Sequence, residues 1–134
     1  MTKQKILLLI PLTIIGGFLI YTWTTILFTN IIATWRHYLT IVLFIVLIFL
    51  FLKNFKRTIL ATAFYLILGT CNLLTFTPSV TFNSYGLRIG SSEIWTPTFQ
   101  LLSFGLLILF SILNFDTLVN IYLDYKEARG QQKI

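Results

Sequence analysis

Four long apolar stretches, separated by short polar ones, constrain this chain more than any other feature of its sequence. The first covers residues 6–28, and as a helix it would span roughly 34 Å, enough for a hydrocarbon core of about 30 Å. The others cover residues 35–52, 58–76 and 98–115. We therefore predict an all-α membrane protein with one domain, residues 1–134, in which four transmembrane helices form an antiparallel bundle. Short connections between helices favour antiparallel neighbours.

The composition supports a membrane protein over a soluble one. The chain has 134 residues, of which 57% are hydrophobic and 10% charged, and its mean hydropathy is +0.87. Soluble domains carry about 25% charged residues, and a soluble domain this small could not bury so much apolar surface. The net charge of +6 comes from short basic runs between apolar segments. That is typical of membrane proteins, so the lipid bilayer is the expected partner and nucleic acid is not.

The basic residues also predict an orientation. In a four-span topology two of the ten lysines and arginines, Arg36 and Arg88, lie on one side. The rest lie on the other side, namely Lys3, Lys5, Lys53, Lys56, Arg57, Lys126, Arg129 and Lys133. By the positive-inside rule both termini are cytosolic. The compact chain has no Asn-x-Ser/Thr acceptor for N-glycosylation, and we therefore expect a multi-pass protein of a bacterial inner membrane.

Two segments are predicted to lie outside the membrane. Residues 77–97 form an outer loop, where alternating apolar residues around a turn-like Asn83–Gly86 suggest a short β-hairpin or irregular coil. Residues 116–129 continue the fourth span as a cytosolic C-terminal helix ending at Gly130. The three tryptophans, Trp23, Trp35 and Trp95, would all lie near the outer interface.

Small and polar residues recur at helical spacing in three of the four spans. In the first span these are Thr13, Gly17, Tyr21 and Thr24; in the third, Thr58, Thr62, Tyr65, Gly69 and Asn72; in the fourth, Gln100, Ser103, Ser111 and Asn114. Such groups are poorly placed against lipid tails, so the three faces are expected to point into the bundle. The second span has no such face, so it should be more peripheral or should bury its apolar face against a partner. The candidate interior polar residues are Thr62, Tyr65, Asn72, Gln100, Ser103, Ser111 and Asn114, which serve either ordinary helix packing or a polar path for a small solute.

No pattern for catalysis, for a metal or for a cofactor is present in the sequence. The only histidine, His37, is expected to be a polar residue at the membrane interface, and the only cysteine, Cys71, to be packed and unreactive. An acidic face of the C-terminal helix, formed by Asp116, Asn120, Asp124 and Glu127, is the candidate partner-docking site.

We therefore predict a small non-catalytic accessory or scaffold subunit that recruits a protein partner. Two alternatives stay open. One is a homo-oligomeric channel or small-solute transporter, and the other is a membrane enzyme of unrecognised type.

Overall fold

The computed structural model describes residues 3–79, 86–89, 92–95 and 100–131, with side chains described for residues 3–79 and 100–129. The helices in this part of the chain are α1 (Lys3–Phe28), α2 (Trp35–Lys53), α3 (Phe55–Thr70), α4 (Leu101–Leu113) and α5 (Phe115–Gln131). Two short strands, β1 (Gly86–Ile89) and β2 (Ser92–Trp95), lie between α3 and α4. The predicted helical architecture is thus confirmed.

The helices differ in their ability to cross a membrane. By length and composition α1 and α2 each suffice on their own. The pair α4 and α5 would count as a third, broken span, although a bend of 73° separates its two helices. α3 has 16 residues and α4 has 13. Within the described residues, two or three helices are therefore apolar and long enough for membrane spans.

The two strands pair antiparallel in the segment predicted as the outer loop. Arg88 lies opposite Glu93 in their register. Residues 80–85, 90–91 and 96–99 lie outside the described residues, as do the side chains of β1 and β2. Residues 83–85 of the predicted turn and the Trp95 ring therefore lie outside the described part of the chain.

A single residue separates α2 from α3. Asn54 adopts an extended conformation, and its N–H donates to the carbonyl of Leu50, which closes α2. Its side-chain oxygen accepts from the N–H of Arg57 at 3.2 Å, which caps α3. Asparagine is among the best N-cap residues because it satisfies one of the free N–H groups at a helix start. α3 therefore begins at Phe55, three residues before the predicted residue 58.

The end of α3 lies further from its predicted position than the start does. The helix stops at Thr70 instead of continuing to residue 76. Asn72 has a φ of 61°, and its N–H donates to the carbonyl of Gly69 while that of Leu73 donates to Leu68. This is the Schellman ending of a helix, for which asparagine is the usual choice after glycine. Residues 71–79, here named the return segment, leave the helix direction at this point.

The core lies where α4 packs against both α3 and α1, while α2 packs against α3. Buried side chains from these helices meet in one cluster, which also takes in two residues of the return segment, Leu74 and Phe76. The ring of Phe76 packs edge-to-face on that of Tyr65, with centroids 5.4 Å apart. The return segment is therefore part of the core and not a surface loop.

The orientation predicted for α1 is wrong. Thr13, Gly17, Tyr21 and Thr24 are exposed, whereas Leu12, Ile15, Leu19 and Thr22 face the core. The hydroxyls of Thr13 and Thr24 donate to carbonyls of their own helix, those of Leu9 and Tyr21. Because their polarity is satisfied within the helix, these threonines have no need of the bundle interior. α2 is largely exposed, as predicted, but two of its three buried residues, His37 and Thr40, are polar, although no polar interior face is predicted for it.

Candidate functional site: a buried polar layer and an exposed charged end

The return segment is held by hydrogen bonds from two different helices. The hydroxyl of Thr22 in α1 donates to the carbonyl of Phe76 at 2.7 Å. The hydroxyl of Thr40 in α2 accepts from the N–H of Thr75 at 2.9 Å. All of these groups are buried. A non-helical backbone inside a core would otherwise leave polar groups without partners, which is costly, so these two threonines let the segment enter the bundle.

Thr40 connects three elements. Besides accepting from Thr75, its hydroxyl donates to the carbonyl of Arg36 at 2.6 Å. Its own carbonyl accepts from the phenol of Tyr65 in α3 at 3.1 Å. The side chain thus uses its donor and an acceptor site at the same time, and it joins α2 to the return segment while its backbone joins α2 to α3.

His37, predicted to lie at the membrane interface, is buried within the protein and bonded at both ring nitrogens. The N–H of Thr34 donates to Nδ1 at 3.1 Å, and Nε2 lies 3.1 Å from the carbonyl of Thr77. A carbonyl can only accept, so the proton resides on Nε2 and the ring is the neutral tautomer. His37 therefore fastens the start of α2 to the return segment.

Beside the return segment, the end of α3 packs against the start of α4. The N–H of Gln100 donates to the carbonyl of Thr70 at 3.1 Å, and the hydroxyl of Ser103 donates to the side-chain oxygen of Gln100 at 2.8 Å. Gly69 makes this approach possible, because a Cβ there would lie 2.6 Å from the ring of Phe76 and 2.9 Å from the hydroxyl of Ser103. Small residues are used in this way where helices approach closely.

We name this set of buried polar groups the polar layer. Its members come from four helices and the return segment: Thr22, His37, Thr40, Tyr65, Asn72, Thr75, Gln100 and Ser103. Within the part of the chain that the structure describes, some polar atoms of this layer have no hydrogen-bond partner, namely the side-chain oxygens of Asn72 and Thr75 and the amide nitrogen of Gln100. The Thr75 hydroxyl, the Asn72 amide oxygen and the Gln100 amide group therefore retain unused hydrogen-bonding capacity.

The structure places the predicted interior residues as follows. Thr62, Tyr65, Asn72, Gln100, Ser103 and Asn114 are buried, and Ser111 is half-buried with its hydroxyl donating to the carbonyl of Leu107. Asn72 lies beyond the end of α3 and not on the helical face predicted for it. Asn114 lies at the junction of α4 and α5, away from Gln100 and Ser103 along α4, and its amide donates to the carbonyl of Phe110 at 3.1 Å.

Thr22, His37, Thr40 and Thr75 were not among the predicted interior residues. A threonine in an apolar helix usually bonds its own backbone, as Thr62 and Thr70 do here, so its presence does not indicate a tertiary role. No sequence signal distinguishes Thr22 or Thr40 from these. Cys71, predicted to be packed, is exposed just after α3.

The opposite end of the bundle carries the exposed charges. Asp116, Asn120, Asp124 and Glu127 of α5 are all exposed. Asp124 forms an ion pair with Lys56, in the first turn of α3, with Nζ and Oδ2 2.6 Å apart. The sequence did not predict this pair, because 68 residues separate its members. Asp116 lies in the first turn of α5, where the helix dipole stabilises a negatively charged side chain.

The chemistry available in the described residues is limited. No group of three or more His, Cys, Asp or Glu side chains there could hold a metal ion. His37 uses both ring nitrogens for backbone groups. The polar layer thus has the composition of a structural network, with neutral amides and hydroxyls facing backbone.

Comparison of the chain with protein-family models, with curated proteins and with solved structures gives no match. Its function therefore has to follow from its own geometry. Two features carry that geometry: the polar layer at one end of the bundle and the exposed charges at the other.

Proposed function

We propose that the chain crosses a bacterial inner membrane four times, through α1, α2, α3 and α4, with both termini in the cytosol. α3 and α4 would be roughly 24 and 20 Å long, short of a hydrocarbon core of about 30 Å. The return segment would complete the third span. Irregular backbone at membrane depth is tolerated only where protein satisfies its polar groups. Thr22, His37 and Thr40 bond three backbone groups of the return segment, one each in Phe76, Thr77 and Thr75.

The same topology gives α5 a position on the inner surface. If α4 crosses the membrane, the 73° bend lays α5 close to the membrane plane. The exposed side chains of Phe115 and Tyr122 lie on the side of the helix opposite to the acids, at 100° per residue. They would enter the lipid interface, as the apolar faces of amphipathic helices do, and the acidic residues would face the cytosol.

In this setting the protein acts as a non-catalytic accessory or scaffold subunit that recruits a protein partner through α5. The observation that carries this function is the display of Asp116, Asn120, Asp124 and Glu127 on a helix that turns away from the bundle. Among the side chains described in α5, residues 115–129, only Thr117 is buried, and Leu118 and Ile121 pack against the core. Asp124 of the acidic face is paired with Lys56, which leaves the exposed Asp116, Asn120 and Glu127 to bind a basic surface.

A charge-reversal experiment tests the recruitment. A photo-crosslinking amino acid at Asn120 is combined with Glu127→Lys on the acidic face, or with Glu93→Lys in β2 as a control carrying the same change in charge. We expect a discrete crosslinked protein in intact cells that Glu127→Lys reduces severalfold and Glu93→Lys leaves unchanged. Crosslinks that respond equally to both variants, or that reach lipid alone, would count against docking through α5.

The proposed topology is tested with single cysteines in a Cys71→Ser background, because Cys71 directly follows α3 and would lie within the third span that the return segment completes. A membrane-impermeant maleimide should label Ser79→Cys, at the exposed end of the return segment, in intact cells. It should fail to label Lys56→Cys until the membrane is permeabilised. Labelling of position 56 from outside would invert the orientation, and recovery of the chain in the soluble fraction would remove the membrane proposal itself.

One observation favours the alternative of a homo-oligomeric channel or small transporter. The free polar atoms that the described residues Asn72, Thr75 and Gln100 carry are buried within one copy, so they would line a polar path through the bundle of each copy. Solute flux into liposomes containing the purified protein, abolished by Asn72→Leu, would replace the scaffold proposal. The matched control is Asn30→Leu, because Asn30 is exposed between α1 and α2.

A further inference from the structure

An apolar groove of about 480 Å³ runs between the N-terminal half of α1 and the C-terminal half of α2. Gly16 and Gly17 of α1 and Phe44 and Phe51 of α2 are among its lining residues. A Cβ on Gly16 would lie 3.3 Å from the ring of Phe44, whereas a Cβ on Gly17 would meet nothing within 4 Å. Gly16 thus lets Phe44 of α2 approach α1 closely, and Gly17 leaves open space in the groove.

The groove offers hydrocarbon contacts and no free hydrogen-bonding group. Its one polar side chain is Thr13, whose hydroxyl donates to the carbonyl of Leu9 at 2.9 Å. An occupant with a polar group at this depth would leave that group unsatisfied, which is costly in an apolar setting. The occupant must therefore present a saturated or unsaturated hydrocarbon chain to the groove.

One mouth of the groove is basic. α1 and α2 run antiparallel, since Trp23 contacts Tyr38 at one end with ring centroids 5.4 Å apart and Gly16 faces Phe44 further along. Lys5 therefore lies one helical turn before Leu9, at the same end as Lys53, which follows Phe51 by two residues. Both lysines are exposed, and the Lys53 ammonium group lies 5.6 Å from the centroid of the Phe49 ring.

Neither Lys5 nor Lys53 has an acidic partner in the described part of the chain. Among the described residues the ion pair found involves Lys56 and Asp124, and it leaves Lys5 and Lys53 out. A hydrocarbon groove that opens at a pair of free ammonium groups is complementary to a molecule with an apolar chain and an anionic head. Basic pockets between transmembrane helices at the cytosolic side bind anionic lipid head groups for this reason.

We propose that the α1–α2 groove is a binding site for an anionic glycerophospholipid. One acyl chain lies in the groove along Gly17, and the phosphate lies at its mouth between Lys5 and Lys53. The site goes beyond partner recruitment by α5 and rests only on the membrane location proposed above.

A second copy of this chain fits the groove less well. Copies in one membrane share their orientation, so a two-fold axis along the membrane normal would bring equivalent residues of α1 together. Lys3 and Lys5 of each copy would then approach the same lysines of the other. Like charges this close are destabilising, whereas a lipid phosphate is attracted by them.

The acyl-chain half of the proposal is tested by filling the groove. Gly17→Leu places a side chain in the open space of the groove, and Gly105→Leu is the matched control, because a Cβ on Gly105 in α4 also meets nothing within 4 Å. Binding of phosphatidylglycerol to the purified protein in a neutral detergent is followed by native mass spectrometry. We expect Gly17→Leu to weaken it about tenfold, which is the effect of about two lost CH₂ contacts, and Gly105→Leu to leave it unchanged.

The head-group half is tested by removing charge. Lys5→Gln and Lys53→Gln should each weaken phosphatidylglycerol binding about fivefold, the usual effect of one basic residue near an anionic lipid. Binding of phosphatidylcholine should not change. Lys126→Gln in α5 removes the same charge away from the groove and should have no effect.

Three results would overturn the site. Gly17→Leu could bind phosphatidylglycerol as the unmodified protein does, or phosphatidylcholine could bind as tightly while both lysine variants are silent. A dimer that Gly17→Leu dissociates and lipid leaves unaffected would assign the groove to a second copy. Because these measurements use detergent-purified protein, they do not depend on the orientation or on recruitment by α5, so each proposal can fail separately.

Discussion

The two ends of the bundle use polar residues in opposite ways. At the return-segment end, Thr22, His37 and Thr40 are buried and bonded to backbone groups. At the basic-turn end, Lys56 and Asp124 are exposed and bonded to each other. A buried network with satisfied groups specifies a single packing, whereas an exposed ion pair contributes little. The first end should therefore determine the fold, and the second should be free for binding.

The largest expected effect comes from Gly69, at the contact of α3 with Phe76 and Ser103. Gly69→Leu should destabilise the protein by about 3 kcal/mol, because overpacking forces neighbouring groups to move and a Cβ alone would lie 2.6 Å from the Phe76 ring. Thermal unfolding in detergent measures the change. Gly105→Leu, in open surroundings, should not lower the melting temperature, and equal losses in the two variants would mean that α3 and α4 are not in close contact.

Thr40→Val isolates the hydrogen bonds that admit the return segment. Valine keeps the shape of threonine but leaves the N–H of Thr75 without its acceptor, so we expect a loss of about 1–2 kcal/mol. Thr13→Val is the control, since the Thr13 hydroxyl is exposed and bonded within its own helix. The same unfolding measurement applies to both. A Thr40→Val variant as stable as Thr13→Val would show that polarity at this end is dispensable.

Asn72 tests the helix end that creates the return segment. Its φ of 61° is costly for residues with a Cβ, and asparagine tolerates it better than most. Asn72→Ala should cost about 1 kcal/mol, while Asn72→Gly should be neutral or slightly stabilising. The order of the two unfolding temperatures is the decisive readout. Equal stability of the two variants would favour a helix that continues past Thr70.

The smallest effect is expected at the charged end. A double-mutant cycle with Lys56→Gln and Asp124→Asn should give a coupling free energy below about 1 kcal/mol, because the pair is exposed and screened by salt. Unfolding at low and high ionic strength measures it. A larger coupling that persists at high salt would show that this end also helps to determine the fold, and the contrast between the two ends would disappear.

Much of the fold was predictable because it depends on local composition. The helix of residues 35–52 was predicted to within one residue of α2, since a long apolar run ending at a lysine has few other solutions. The C-terminal helix was placed at 116–129, inside the observed α5. The candidate site was less predictable. The sequence predicts that Gln100 and Ser103 lie on one helical face. It does not predict that His37 and Thr40 belong to the same polar layer.

The errors share one physical cause. A threonine hydroxyl can bond its own helix, as Thr13 does, or another element, as Thr22 does, and the two choices have similar local energy. Asn72 likewise continues the polar spacing of α3 but also suits the left-handed conformation that ends the helix. In both cases the choice depends on groups distant in sequence.

The sequence by itself determined that this chain forms apolar helices long enough for a bilayer, because hydrophobic runs and breakers act locally. Only the tertiary structure decided which face of α1 turns inward, that residues 71–79 fold back into the bundle, and that Lys56 meets Asp124. Those features depend on hydrogen bonds and packing between segments many residues apart. The pattern of residues along the chain does not indicate which partner each polar group bonds.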